Sequence, residues 1–230
     1  MFERPHHQKI AKILHAMDGE LLTQAKCYFG GGTAITLKLG EYRESVDVDF
    51  LCSDKAGYRL LRNAITPPTL GKLLRSPIKH LRDVRTQRDK ISTILEVDDV
   101  PIRVEFVLEG RISISGNFDS DLGVPVLDRD DMFAEKLLAN TDRTLDRSQL
   151  SRDLIDLAMM INAWGPIPEA ALTKAEAAYG HAVKDYFDRG LVLLRGDAYR
   201  DGCLKAMAMS ADLGQGIVAT LDSQQLGSSH

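Results

Sequence analysis

Two aspartates separated by a single residue constrain this chain more than any other feature. Residues 45 to 50 read Ser45-Val46-Asp47-Val48-Asp49-Phe50. On a strand, positions i and i+2 lie on the same face. Asp47 and Asp49 then point one way, while Val46, Val48 and Phe50 point into the protein. Aspartate is disfavoured in strands, and two ionised carboxylates side by side repel each other. A cation between them resolves both difficulties. Hard divalent cations take oxygen ligands, and Mg²⁺ is typically held by one or two carboxylates, with water and substrate phosphates in the other positions. Upstream, Gly30-Gly31-Gly32 follows Tyr28 and Phe29, which suit the end of a strand, and precedes an apolar-periodic stretch from Thr33 to Leu39. A glycine-rich turn at a helix start presents backbone N–H groups to phosphates. The two halves together describe a site for a metal-bound nucleoside triphosphate. The bland alternative is a flexible turn at Gly30–Gly32 with Asp47 and Asp49 on the wet face of a half-exposed strand; a dinucleotide loop fits less well, because the third glycine of G-x-G-x-x-G falls on Ile35.

The chain has 230 residues, enough to bury a core as one large domain or two small ones. Its net charge of −4 gives no global attraction to nucleic acid, so any such contact has to come from a local patch. One stretch qualifies. Gly71 to Lys90 carries Lys72, Arg75, Lys79, His80, Arg82, Arg85, Arg88 and Lys90 against Asp83 and Asp89. It reads either as a solvated loop and helix or as a surface that meets a nucleic-acid backbone or a triphosphate. Cys27, Cys52 and Cys203 are few, odd in number and not in metal spacing. They suggest a reducing cytoplasm, with Cys27 and Cys52 as buried apolar residues. With no signal peptide and no apolar run of membrane length, a cytoplasmic location without membrane contact is expected.

Taken in order, residues 6 to 26 read as an amphipathic helix interrupted at Asp18-Gly19, with Ile10, Ile13, Leu14, Met17, Leu21 and Leu22 in phase. His6 and His7 are adjacent, so they do not share a helix face, and both read as surface residues. Tyr58 to Ile65 reads as a short helix ended by Pro67-Pro68. Residues 91–97 and 101–108 form a hairpin signal across Asp98-Asp99-Val100. In its second strand Arg103, Glu105 and Val107 share one face. ISIS at 112–115 and VPVL at 124–127 read as short strands. From Asp128 the pattern turns helical. A first helix carries Lys136. A second, from about Ser148 to Trp164, carries Asp153 and Asp156 three apart on one face. Asp156 is also placed to pair with Arg152 or Lys136. Segments 168–179, 181–194 and 197–209 read as a small bundle with glycines at 180, 190 and 196, and 222–230 as a disordered polar tail.

Gly-Gly-Thr, thirteen residues and then Asp-x-Asp resembles the nucleotidyltransferase superfamily that includes DNA polymerase beta. The longer string GGTAITLKLGEYRESVDVDF is similar to the AbiEii/AbiGii abortive-infection toxins, with Arg43, Ser45, Asp47 and Asp49 on the family's motif positions. Glu135-Lys136-Leu137-Leu138-Ala139, Arg143 and Arg152-Asp153-Leu154-Ile155-Asp156 extend the likeness, which covers roughly residues 28 to 160. The resemblance implies an α/β (α+β) nucleotidyltransferase fold. A mixed sheet core would span 1–127, and a helical part from 128 to 221 would complete the active-site cleft. It implies Mg²⁺ or Mn²⁺ on Asp47 and Asp49, with Glu105 as the candidate third acid. Triphosphate binding would fall to Gly31, Gly32, Thr33, Arg43 and Ser45. Lys136 would contact phosphate and Asp153 would support the site. NTP would be the donor, RNA (tRNA in some members) the acceptor, and an antitoxin the restraining partner. Two alternatives share these residues. One is a small-molecule nucleotidyltransferase of the antibiotic-modifying kind. The other is a catalytically quiet member that binds nucleotide or a partner protein.

Overall fold

The computed structural model of the protein describes residues 2–224 and 226. Among these residues are seven strands and ten α-helices, α/β in class, in two compact units. One unit runs up to Leu37 and resumes at Ser45–Asp128. The other joins Lys38–Glu44 to the chain from Arg129 onward. A boundary at 127 read from the sequence leaves out that short excursion.

The first unit is built on one mixed sheet. In chain order its strands are β1 (Cys27–Gly30), β2 (Val48–Cys52), β3 (Lys79–Thr86), β4 (Lys90–Val97), β5 (Val100–Leu108), β6 (Gly116–Asp119) and β7 (Val124–Leu127). Their spatial order is β3-β4-β5-β2-β1-β7-β6. Strand β2 runs antiparallel to β1 and parallel to β5, and β1 runs parallel to β7. The centre of the sheet is fixed by a row of rings. Phe29, Phe50 and Phe106 are opposed across β1, β2 and β5. The ring centroids lie 5.7 Å apart for the first pair and 5.1 Å for the second, the latter stacked. All three rings are fully buried, each burial contributing about 1.5–3 kcal/mol. Because side chains alternate, this row sends Asp49 and Glu105 to the other face.

The helices of this unit are α1 (Pro5–Ala16), α2 (Gly19–Gln24), α3 (Gly31–Lys38) and α4 (Lys55–Ala64). The expected helix 6–26 is thus two helices. Asp18 ends the run by capping α2, its carboxylate accepting from Leu21 N–H at 2.9 Å. ISIS at 112–115 is not a strand. The strand starts at Gly116 instead, where any side chain would collide with the Val126 carbonyl, 2.3 Å from an added Cβ. Asp128 holds the approach, accepting from Ser115 Oγ at 2.8 Å and Asn117 Nδ2 at 2.7 Å. The basic stretch is also not a loop and helix. It is a 3-10 turn (Gly71–Leu73) followed by the edge strand β3.

The second unit is helical: α5 (Arg129–Arg143), α6 (Arg152–Trp164), α7 (Glu169–Tyr179), α8 (Ala182–Leu194), α9 (Asp197–Ala206) and α10 (Leu213–Asp222). Gly190 lies inside α8 rather than between helices, and lets it approach α6. A Cβ there would stand 2.8 Å from Leu154 Cδ2. Of the expected disordered tail, Asp222 closes α10 and Leu226 is buried; residues 225 and 227–230 lie outside the described residues.

Candidate active site

Asp49 sits at the second position of β2, where the register opposes it to Gly30 on β1 and to Glu105 on β5. Asp47 is one residue ahead of the strand. Its carboxylate accepts from Arg103 Nη2 at 2.5 Å. The Arg103 pKa is raised above its ordinary value, first by this hydrogen bond and then by the charges of Asp47, Glu105 and Asp49. One guanidinium therefore stands in the field of all three acids. Glu105 receives a second cation, Lys90 Nζ at 3.2 Å.

Helix α3 begins at Gly31, directly after β1, with φ +68°. That backbone region favours glycine. The space requires glycine as well, because an added Cβ would lie 2.9 Å from Asp49 Oδ2. The carboxylate of Asp49 thus rests against the first turn of α3, where orphan N–H groups and the helix dipole favour anions.

Thr33 and Ser45 are already engaged within the protein. Thr33 Oγ1 donates to the Asp47 carbonyl at 2.6 Å, so the 2.7 Å contact between Thr33 Oγ1 and Ser45 Oγ uses the serine proton. The Ser45 N–H donates to His7 Nε2 at 3.1 Å, and His6 Nε2 donates to the Val46 carbonyl at 3.1 Å. This bracing starts before the strand does, and it leaves Val46 48% exposed rather than pointing inward. His7 is fully buried, not a surface residue. The signal was available: position 7 is in phase with Ile10 and Leu14 on the buried face of α1.

Arg43, Lys136, Asp153 and Asp156 meet within the helical unit. Arg43 donates to Asp156 through Nε at 2.7 Å and Nη2 at 2.9 Å, a bidentate pair. Tyr42 Oη adds a third donor to Asp156 at 2.5 Å. Lys136 Nζ bridges Asp156 at 2.6 Å and Asp153 at 2.9 Å, and Arg143 closes on Asp153. Burial pushes the Asp156 carboxyl up, but Arg43 and Lys136 outweigh it and hold its pKa well below the usual carboxylate range. Asp153 is lowered in the same way by Lys136 and Arg143. Burial pushes Arg43 down, and Asp156 outweighs that, leaving it raised. Arg152 is not a partner of Asp156 in this cluster. Arg43, expected among the nucleotide-binding residues, is buried and turned to Asp156. Lys136 is equally buried, and two carboxylates share its charge.

Among the described residues no group of three or more His, Cys, Asp or Glu side chains converges as a metal cage. No helix among them is long and apolar enough to cross a membrane. Asp47 and Asp49 nonetheless offer the oxygen donors that a hard divalent cation takes, and Asp49 rests against a glycine helix start of the kind that suits phosphate.

A mixed sheet with Gly-Gly-Thr opening a helix beside an Asp-x-Asp strand is nucleotidyltransferase architecture, and the protein is a nucleotidyltransferase. The family is more particular: the chain belongs to the AbiEii nucleotidyl transferase toxins of type IV toxin–antitoxin systems, whose model matches residues 15–211. Among solved structures it is similar to a candidate nucleotidyltransferase from H. pylori, with TM-score 0.52 and 14% identity, covering 94% of this chain and 92% of that one. JHP933 from Helicobacter pylori gives TM-score 0.48 at 16% identity, over 96% of this chain and 92% of that one. An antigenic nucleotidyltransferase-like protein from Paracoccidioides brasiliensis gives 0.48 at 15%, over 89% and 96%. At 14% identity, the likeness to the first of these is one of fold. No curated protein matches the sequence.

Proposed function

We propose that the protein transfers a nucleoside monophosphate from NTP to a hydroxyl of an RNA acceptor, tRNA among the candidates, in the cytoplasm and under the restraint of a cognate antitoxin. The observation that carries this reading is Asp49, whose carboxylate lies against Gly31 at the start of α3. That contact supports a cation-binding role for Asp49 next to a helix start suited to phosphate. Asp47 and Asp49 would hold Mg²⁺ or Mn²⁺. When bound, such a cation neutralises the triphosphate and stabilises charge on the attacking and leaving oxygens.

The chain's own residues do the rest. Gly31, Gly32 and Thr33 offer backbone N–H groups to the phosphates, while the Thr33 and Ser45 hydroxyls keep Asp47 in place. The acceptor oxygen bonds to the α-phosphorus, the bond to the β-phosphate oxygen breaks, and pyrophosphate leaves. Glu105 takes the hydroxyl proton; were it to share the cation instead, the proton would pass to solvent water. Arg103, already poised against Asp47, balances charge at the same face. Lys136, expected to contact phosphate, is buried in the helical unit and paired with two carboxylates there. In its cluster three cations, Arg43, Lys136 and Arg143, face two anions, Asp153 and Asp156, so one positive charge is in surplus. Asp153 fixes Lys136 and Arg143 within that cluster. Positioning and electrostatics supply most of the catalysis in such reactions.

The test is a labelled-NTP transfer assay, each of the four nucleotides in turn, on total RNA and on small hydroxyl-bearing acceptors. Label in RNA supports the reading. Label only in small molecules replaces it with an antibiotic-type transferase. No transfer from any nucleotide leaves a binding protein.

The acceptor surface has its own prediction. Arg82 and Arg85 are exposed on the edge strand β3, and Arg88 is exposed just beyond it. The strand is irregular, with register shifts between His80 and Arg82 and between Arg82 and Arg85, a device that discourages pairing with another sheet. If this edge tracks RNA, acceptor binding weakens with salt, with a log–log slope of roughly −0.7 per phosphate contact for a single strand. Charge reversal of Arg82, Arg85 and Arg88 together is expected to flatten that slope and raise the acceptor KM, with NTP affinity retained. Identical shallow slopes in both proteins would remove β3 from the acceptor surface.

A further inference from the structure

We infer that His7, on the N-terminal helix and forty residues from the aspartate pair, is a positioning residue for Asp47 and Asp49. The inference rests on the proposed function. Asp47 precedes its strand, so no sheet hydrogen bonds fix the two residues ahead of it. Two adjacent histidines hold them instead. His6 Nε2 donates to the Val46 carbonyl, and His7 Nε2 accepts from the Ser45 N–H. The backbone N–H can only donate, so His7 Nε2 carries a lone pair, and a neutral ring then holds its proton on Nδ1.

The position of His7 is itself well fixed. The ring is fully buried, in phase with Ile10 and Leu14, which pack in the core without exposure. Farther along α1, the ring of His15 reaches the Asp121 carbonyl at 3.0 Å, and Lys12 pairs with Asp98 at 2.7 Å. From His7 a chain of hydrogen bonds runs to the aspartate. The His7 ring holds the Ser45 backbone, Ser45 Oγ donates to Thr33 Oγ1, and Thr33 Oγ1 donates to the Asp47 carbonyl. The same links tie the first turns of α3 to the segment that delivers both carboxylates. Groups that hold a metal ligand in place typically change metal affinity by about 10–100-fold when removed.

The experiment compares His7→Gln with His7→Asn. Both are polar and carry an acceptor, but only the glutamine amide oxygen reaches the place of Nε2. Three quantities are measured on the full chain: melting temperature, amide exchange at Ser45, and calorimetric affinity for NTP with Mg²⁺ and with EDTA. His7→Gln is expected to keep Ser45 protected and to bind Mg²⁺·NTP within a few-fold of wild type. His7→Asn is expected to lose Ser45 protection and about 10–100-fold in metal-dependent affinity. Equal metal-dependent binding in wild type, His7→Gln and His7→Asn overturns the inference alone. So does a His7→Gln that melts like wild type and protects Ser45, yet binds as poorly as His7→Asn. Wild-type NTP affinity that is the same in EDTA overturns the proposed function, and this inference with it.

Discussion

Asp49→Asn is expected to lose transfer activity by at least about 10²–10³-fold, the scale on which removal of one preorganised electrostatic group acts, while its melting temperature stays level or rises. The substitution removes a charge and almost no volume, so the contact with Gly31 survives sterically. The charge lost also faces the α3 start and Arg103, but the packing behind it is untouched. Phe29, Phe50 and Phe106 lock the opposite face of the same strands, and removing one of several neighbouring carboxylates relieves repulsion. Kinetics and a thermal melt on the same preparation check both halves. A clear loss of stability with activity retained would make Asp49 a structural residue.

Asp156→Ala is expected to do the opposite, costing about 3–5 kcal/mol of stability, because it strands Arg43 and Lys136 as buried charges without their main partner. At about 2–4 °C per kcal/mol for a chain of this size, the melting temperature falls by roughly 6–20 °C. The pH dependence follows from the same pairs. Asp153 and Asp156 both have folded pKa values below the ordinary 3.8. The stability they contribute is therefore full above that value and is lost as pH falls through the folded values. Wild-type melting temperature is expected to drop steeply below about pH 4, and the Asp156→Ala curve to drop less. Parallel acid limbs in the two proteins would show that this pair does not govern acid unfolding.

Much of the site was legible because its signals are local. Three glycines, a helix start and two aspartates at i, i+2 lie within twenty residues, and each has a short-range physical reason. The alternation that put Glu105 opposite the buried Val104 and Phe106 was equally readable, since burial imposes period two on β5. What could not be read was which distant group each charged residue meets. Arg43 sits two residues from Ser45 in sequence, yet its partner is Asp156, on a helix over a hundred positions away. The inward turn of His7 was readable from its phase with Ile10 and Leu14, but not that its ring would meet the Ser45 backbone thirty-eight positions on. Strand β3 was hidden by its own exposure. A polar, charged edge strand has no alternating apolar pattern to announce it, and its pairing with β4 is what makes it a strand.

The excursion of Lys38–Glu44 into the helical unit bears on how the polypeptide can be divided. Arg43 and Tyr42 belong to the ion cluster of the helices but lie on the sheet side of any cut between Glu44 and Arg129. A protease nick in that interval therefore yields two pieces that share one buried cluster, with Asp156 on one and its bidentate arginine on the other. Neither piece owns a finished helical core. The amino-terminal piece carries a guanidinium that needs its carboxylate, and the carboxy-terminal piece carries a carboxylate that has lost its strongest donor. The two are complementary fragments rather than separable domains, and a shortened version that begins at Arg129 lacks a component of its own interior.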